Sequence, residues 1–225
     1  MQPLILDKPT GSTSRILILG AHSDDIEIGV GGTLLTMAES NLPVSIDWVI
    51  FSASSDRRRE AEASIEQYRR EGLEIEARLL SFRDGYFPSQ HAQIKDSFED
   101  IKSSVNPDVI FTHYQHDRHQ DHRIVSELTW NTFRDHLIFE YEIPKYDGDL
   151  DRPNFFVPIP SPLVNRKADL LLEAFTSQES HDWFTADTFR AIMRLRGLEC
   201  HSDSGYAEAF HLRKAVWSLS HYRPR

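Results

Sequence analysis

A chain of 225 residues and 26.0 kDa has room for one large domain or two small ones and buries a full core without disulfide support, so a stapled mini-protein is excluded. Twenty-five Lys and Arg stand against 35 Asp and Glu, a net charge of −10, which argues against the cationic surface that duplex nucleic acid demands and suits a sugar or other small-molecule partner. The single cysteine, Cys200, cannot form an intramolecular disulfide, so a reducing compartment, the cytoplasm, is expected.

Met1 to Ser14 is polar and interrupted by Pro3, Pro9 and Gly11, without the basic-then-apolar order of a secretory signal, and no apolar run reaches membrane-spanning length. Ile16 to Leu19 is an all-aliphatic run that stops at Gly20, the pattern of a strand buried on both faces. Helical spacing over 29–40 follows, then a strand over 44–51 behind Pro43, and a charged helix over 57–72 that ends in Gly72. A strand over 76–82, an amphipathic helix over 94–105, a buried strand over 109–112, a helix over 121–134 and a strand over 137–143 continue the alternation. From 146 to 162 the pattern breaks at Gly148, Pro153, Pro158, Pro160 and Pro162. Helices over 165–175 and 188–196 and a last strand or strand pair over 206–217 complete the chain. Strands alternating with helices at this pitch predict an α/β, Rossmann-like fold: a mainly parallel sheet with helices on both faces and a C-terminal elaboration, all in one domain spanning 1–225.

Ligands of such sheets sit beyond the carboxyl ends of the strands. Two of those ends are unusual. Gly20-Ala21-His22-Ser23-Asp24-Asp25-Ile26-Glu27 follows the first strand, and His113-Tyr114-Gln115-His116-Asp117-Arg118-His119-Gln120-Asp121-His122 follows the strand at 109–112. Five acids and five histidines gathered there oppose one another's ionisation unless a cation compensates them. Imidazole and carboxylate suit zinc, whose catalytic sites keep three protein ligands and one open position; His22, Asp25 and His122 are the candidate set. Asp24 is then left unligated beside metal-bound water, placed as a general base, while His119, with Asp121 to hold one of its ring nitrogens, is the candidate acid or oxyanion-stabilising group. Arg57 opens a helix on the same sheet edge, where the helix dipole disfavours a cation, so it is a candidate for reaching a substrate hydroxyl or anion. His113 and His116 stay open between ligand neighbour and bystander. His91, His136, His181, His201, His211 and His221 read as solvated surface. Gly29-Val30-Gly31-Gly32-Thr33 lacks the dinucleotide spacing, since Leu34 takes the final position, and reads as close packing of a helix on the sheet.

At these residues the chain resembles the LmbE-like, or PIG-L, family of zinc-dependent de-N-acetylases. The family's Ala-His-Pro-Asp-Asp-x-Glu and Gly-x-Gly-Gly-Thr stand here as Ala21 to Glu27 and Gly29 to Thr33, and its His-x-Asp-His as His119 to His122; Arg57 to Glu60, Lys167, Ser177-Gln178 and Tyr206 to Phe210 are weaker echoes. Ser23 replaces the usual proline, and Phe175 stands where many members carry histidine. The resemblance implies one zinc per chain, or another divalent transition metal, on His22, Asp25 and His122, with Asp24 as base, His119 and Asp121 as the acid pair and Arg57 on the sugar. It also implies a homo-oligomer.

The expected function is a zinc-dependent hydrolase that removes the acetyl group from an N-acetylated amino sugar of GlcNAc type, or its conjugate, by attack of metal-bound water. Tyr86, Phe87 and Trp183 are aromatics that would stack on a sugar ring if exposed, with core packing the alternative. Two other readings compete with this function: a metal-dependent hydrolase of another acyl, carbamoyl or ester bond, and a non-catalytic sugar-binding protein.

Overall fold

The computed structural model describes residues 12–216. The polar lead-in over residues 1–11, His221 and the end of the last predicted strand at Trp217 lie outside the described residues. The elements run β1 (Ser14–His22), α1 (Asp25–Glu39), β2 (Val44–Ser52), α2 (Ser55–Arg70), β3 (Glu74–Leu79), α3 (His91–Ser104), β4 (Val109–His113), α4 (Gln120–Thr132), β5 (Leu137–Tyr141), β6 (Phe155–Pro158), α5 (Ser161–Ala174), α6 (Ala186–Cys200) and β7 (Ala207–Leu212). They build a seven-stranded sheet in the order β3-β2-β1-β4-β5-β7-β6. The first five strands in that order are parallel, while β7 runs antiparallel to both β5 and β6. The mainly parallel α/β architecture is therefore as the sequence pattern predicts.

Alternation along β1 explains why both sheet faces carry helices. Ile16 and Ile18 enter one core with Ile26, Val30 and Leu34 of α1, Ala61 and Ile65 of α2 and Leu170 and Leu171 of α5. Leu17 and Leu19 enter the other with Ile94, Phe98 and Ile101 of α3 and Val125 and Leu128 of α4. A strand apolar on both faces has to be covered on both, and helical crossovers supply the cover.

Most boundaries shift by a few residues from the predicted ones, and three departures bear on the site or the sheet. β1 continues through Gly20 and Ala21 to His22, so that histidine ends a strand rather than sitting in a loop. α1 begins at Asp25, four residues before its first predicted position, because the acidic residues of the motif occupy its first turn, where the helix dipole favours them. The proline-broken stretch contains β6, an edge strand whose Pro158 is its last residue, a place where a missing N–H costs little.

The glycines of α1 are packing devices. A methyl group on Gly29 would collide with the ring of Tyr141, and one on Gly32 would come to 2.8 Å from Glu208 Oε1. Glu208 of β7 uses that space to accept the N–H groups of Gly32 and Thr33, each at 2.7 Å, and it pairs at 2.6 Å with Lys167 of α5. Lys167 in turn donates to the Ile28 carbonyl, so α1 is clamped through its backbone by two neighbouring elements.

Candidate metal centre and active site

The carboxyl ends of β1 and β4 lie side by side, since β1 pairs directly with β4 in the sheet. That adjacency brings the two motifs together although they are far apart in sequence. His22 ends β1, Asp24 is the N-cap of α1, Asp25 is its first residue, His119 is the N-cap of α4 and His122 lies in the first turn of α4.

His22, Asp25 and His122 converge on one point. His22 Nδ1 lies 3.2 Å from His122 Nε2 and 3.4 Å from Asp25 Oδ2, and His122 Nε2 lies 3.4 Å from Asp25 Oδ1. The far nitrogen of each imidazole faces carboxylate: His122 Nδ1 is 2.9 Å from Asp117 Oδ2, and His22 Nε2 is 3.1 Å from Asp84 Oδ1 and 3.3 Å from Asp121 Oδ2. Carboxylates only accept, so in the neutral rings the far nitrogens carry the protons and the near nitrogens are bare. Two lone pairs and a carboxylate thus meet with no proton between them, in a site where all three residues are buried. A cation at that point would pair with all three groups at once.

A divalent metal fits this cage. Ligands about 2.0 to 2.1 Å from a tetrahedral zinc are roughly 3.3 Å from one another, and the observed separations bracket that spacing. The electrostatics agree: burial by itself would lower the two imidazoles, yet Asp25, joined by Asp121 and Asp84 at His22 and by Asp117 at His122, lifts both above their ordinary value. Burial opposes the charge on Asp25, but His122, His113 and His22 hold it well below the usual carboxylate range.

Asp24 stands apart from the cage. Its Oδ1 accepts from Arg57 Nη2 at 2.7 Å, while burial and neighbouring Asp25 push its carboxyl upward against that cation. Arg57 therefore contacts Asp24 directly and reaches the site through it. His119 has its Nδ1 capped by the backbone N–H of Asp121 at 3.3 Å, which leaves Nε2 as the protonated nitrogen of the neutral ring. Burial and the adjacent imidazoles of His122 and His22 lower its pKa and keep it neutral.

One predicted contact is corrected. The Asp121 carboxylate does not hold the His119 ring; it accepts the N–H groups of Gly85 and Phe87, at 2.6 and 3.1 Å, and faces His22 instead. Those two amides, on the segment after β3, draw it away from His119. His211 is a second correction, for it is buried and stacked on Tyr114 with ring centroids 3.8 Å apart. His113 is fully buried behind the cage, accepting the Ala21 N–H at 2.9 Å and lying 3.2 Å from Asp25, whereas His116 is exposed. Phe87 is buried in the core and Trp183 is half-buried, while Tyr86 is exposed under the Arg83 guanidinium at 3.5 Å.

Asp84 and Lys145 are site neighbours that motif reading misses. Asp84 comes from the segment after β3, and Lys145, from beyond β5, reaches Asp117 at 2.9 Å. Neither lies in a recognisable pattern.

Comparisons with known proteins identify similar chains and folds. An uncharacterized deacetylase, YaiS, of Escherichia coli (strain K12) is 29% identical over 142 residues, covering 57% of this chain and 74% of the relative. The conserved protein TT1542 of Thermus thermophilus superposes with a TM-score of 0.68 at 24% identity, over 93% of this chain and 99% of that one. The N,N'-diacetylchitobiose deacetylase of Pyrococcus horikoshii superposes with a TM-score of 0.66 at 19% identity, over 88% and 83%. At such identities the two superpositions establish the fold alone. The PIG-L family model, described as GlcNAc-PI de-N-acetylase, matches residues 17–133, just over half of the chain and all of both donor motifs, and the protein therefore belongs to the PIG-L family of hydrolytic de-N-acetylases.

Proposed function

We propose that the protein hydrolyses the acetamide of an N-acetylated amino sugar of GlcNAc type, or of a conjugate carrying one, using one divalent metal, zinc in the first instance, held by His22, Asp25 and His122. The observation that carries the reading is the convergence of bare His22 Nδ1, bare His122 Nε2 and Asp25 on one buried point. When bound there, a divalent ion supplies Lewis acidity that polarises an amide carbonyl and makes water acidic enough to lose a proton near neutrality.

The chain's own groups do the rest. Asp24, buried and outside the cage, accepts the proton of the attacking water, and Arg57 holds its carboxylate in one orientation through Oδ1. The neutral Nε2–H of His119 donates to the oxygen on which negative charge develops as the carbonyl becomes tetrahedral. As the C–N bond breaks, a proton passes to the leaving nitrogen; water and amide become acetate and a free amine. Asp121 fixes His22 from behind and ties the segment at Gly85 and Phe87 to the site. Amino-sugar specificity is supported by the family's own description and by the deacetylase neighbours. On this reading a single domain acts on a small molecule in the cytoplasm as a homo-oligomer; the acidic charge gives nucleic acid no surface, and no helix among the described residues is long and apolar enough to cross a membrane.

Metal analysis of the purified protein, together with acetate release from a panel of N-acetylated amino sugars with and without chelator, tests the reading. About one zinc per chain and chelator-sensitive acetate release are expected. Metal without acetate on any substrate would shift the reaction to another acyl, carbamoyl or ester bond, and absence of metal would remove the mechanism.

A further inference from the structure

We propose that Lys145, on the connection between β5 and β6, is a positioning residue that sets His122 as a metal ligand by way of Asp117. The inference rests on the metal reading above and adds to it a control point outside both donor motifs. Asp117 Oδ2 is shared: His122 Nδ1 donates to it at 2.9 Å and Lys145 Nζ donates to it at 2.9 Å. Asp117 Oδ1 accepts the backbone N–H of His119 at 2.7 Å. Lys145 also pairs at 2.6 Å with Asp149 Oδ2, and that oxygen accepts the backbone N–H of Arg118 at 2.7 Å. All three side chains are nearly closed to solvent, at 3% exposure for Asp117, 5% for Asp149 and 11% for Lys145.

One ammonium therefore compensates two buried carboxylates. Their remaining bonds hold the backbone of residues 118 and 119, directly before the helix that carries His122. Removing the ammonium leaves two anions close together in a dry place, where an unpaired charge is strongly disfavoured. Asp117 then turns away from Asp149, and His122 loses the full acceptor that orients its ring and raises the basicity of Nε2. Partners at the far nitrogen of a ligating histidine control metal affinity by about 10- to 100-fold. Because coupling is reciprocal, metal binding also tightens the connection that bears Lys145 and Asp149.

The test compares wild type with Lys145→Met, Lys145→Arg and the double variant Lys145→Met/Asp149→Asn. Zn2+ affinity is measured by competition with a chromophoric chelator, and the visible spectrum of the Co2+-loaded protein reports ligand geometry. Lys145→Met should bind Zn2+ about tenfold or more weakly and shift the Co2+ bands, and Lys145→Arg should recover most of both. The double variant, relieved of carboxylate repulsion, keeps the test open if the single variant folds poorly, and it should still bind Zn2+ weakly. Wild-type affinity in either Met variant would overturn the proposal; recovery in the double variant alone would reduce Lys145 to a counter-ion for Asp149. A wild-type protein that takes up neither ion would overturn the metal reading itself and this inference with it, an outcome distinct from both.

Discussion

Asp24 and Asp25 are neighbours in sequence but bond to different partners. Asp25 accepts the His22 N–H at 2.6 Å and faces three imidazoles, whereas Asp24 touches Arg57 and stays outside the cage. Removing the Asp24 charge should therefore spare the metal. Asp24→Asn is expected to lower kcat by about 10²- to 10⁴-fold while zinc content stays at the wild-type level; retained turnover would sink Asp24 as the base, and lost zinc would make it a ligand. The residues compared here were legible because short-range spacing fixes their chemistry: His22 to Asp25 turns from a strand end into a helix start, and His119 to His122 spans one helix N-terminus. Asp84 and Lys145 were not, since they arrive from other connections and only the folded chain brings them near His22 and Asp117. The Asp121 contact failed for a related reason. Its competing donors, the amides of Gly85 and Phe87, are invisible in a motif.

The element that carries most of the site's precision is α1. Its first turn presents Asp25, and its middle is gripped from two sides, by Tyr141 against Gly29 and by Glu208 and Lys167 on the backbone. Gly29→Ala should cost about 1 to 3 kcal/mol in stability through overpacking, read from chemical denaturation, and it should lower zinc affinity as well, because Tyr141 also contacts His113 behind Asp25. Unchanged stability would mean that Tyr141 yields easily. Lys167→Met strands Glu208 without its cation and should cost more, about 3 to 5 kcal/mol; a loss below about 1 kcal/mol would show that the two backbone amides satisfy Glu208 by themselves. The elements α2, α3, β2 and β4 were predicted because the apolar residues in each are set by the core they face. The start of α1 was read late, since Asp24, Asp25 and Glu27 look like loop residues until the buried cluster around them is known. β6 was missed because prolines flank it and pairing with β7 alone defines it.

Acid sensitivity belongs to the whole molecule, and His211 supplies a separable part of it. Burial holds this imidazole down at about 4, with nearby Asp151 opposing and Arg196 and His116 assisting, and its Nε2 has no hydrogen-bond partner. In the unfolded chain the same ring takes a proton near its ordinary value of about 6.5. The folded state therefore has its full advantage above about pH 6.5 and loses it progressively as pH falls to about 4, by an amount on the order of 2 to 3 kcal/mol. Asp117 and Asp121, held below their ordinary value by imidazole neighbours and hydrogen bonds against the pull of burial, lose their contribution only at more acidic pH. Glu140 and Glu142, raised by burial, act with the opposite sign and gain stability as they protonate, so the wild-type profile alone does not isolate any one group. A difference measurement does. His211→Phe keeps a ring against Tyr114 and removes the proton site, so its denaturation free energy should fall less steeply than wild type between about pH 6.5 and 4 and run parallel to it above about pH 7. Parallel curves across the whole range would mean that the ring reaches water in the native state and titrates there as freely as in the unfolded chain.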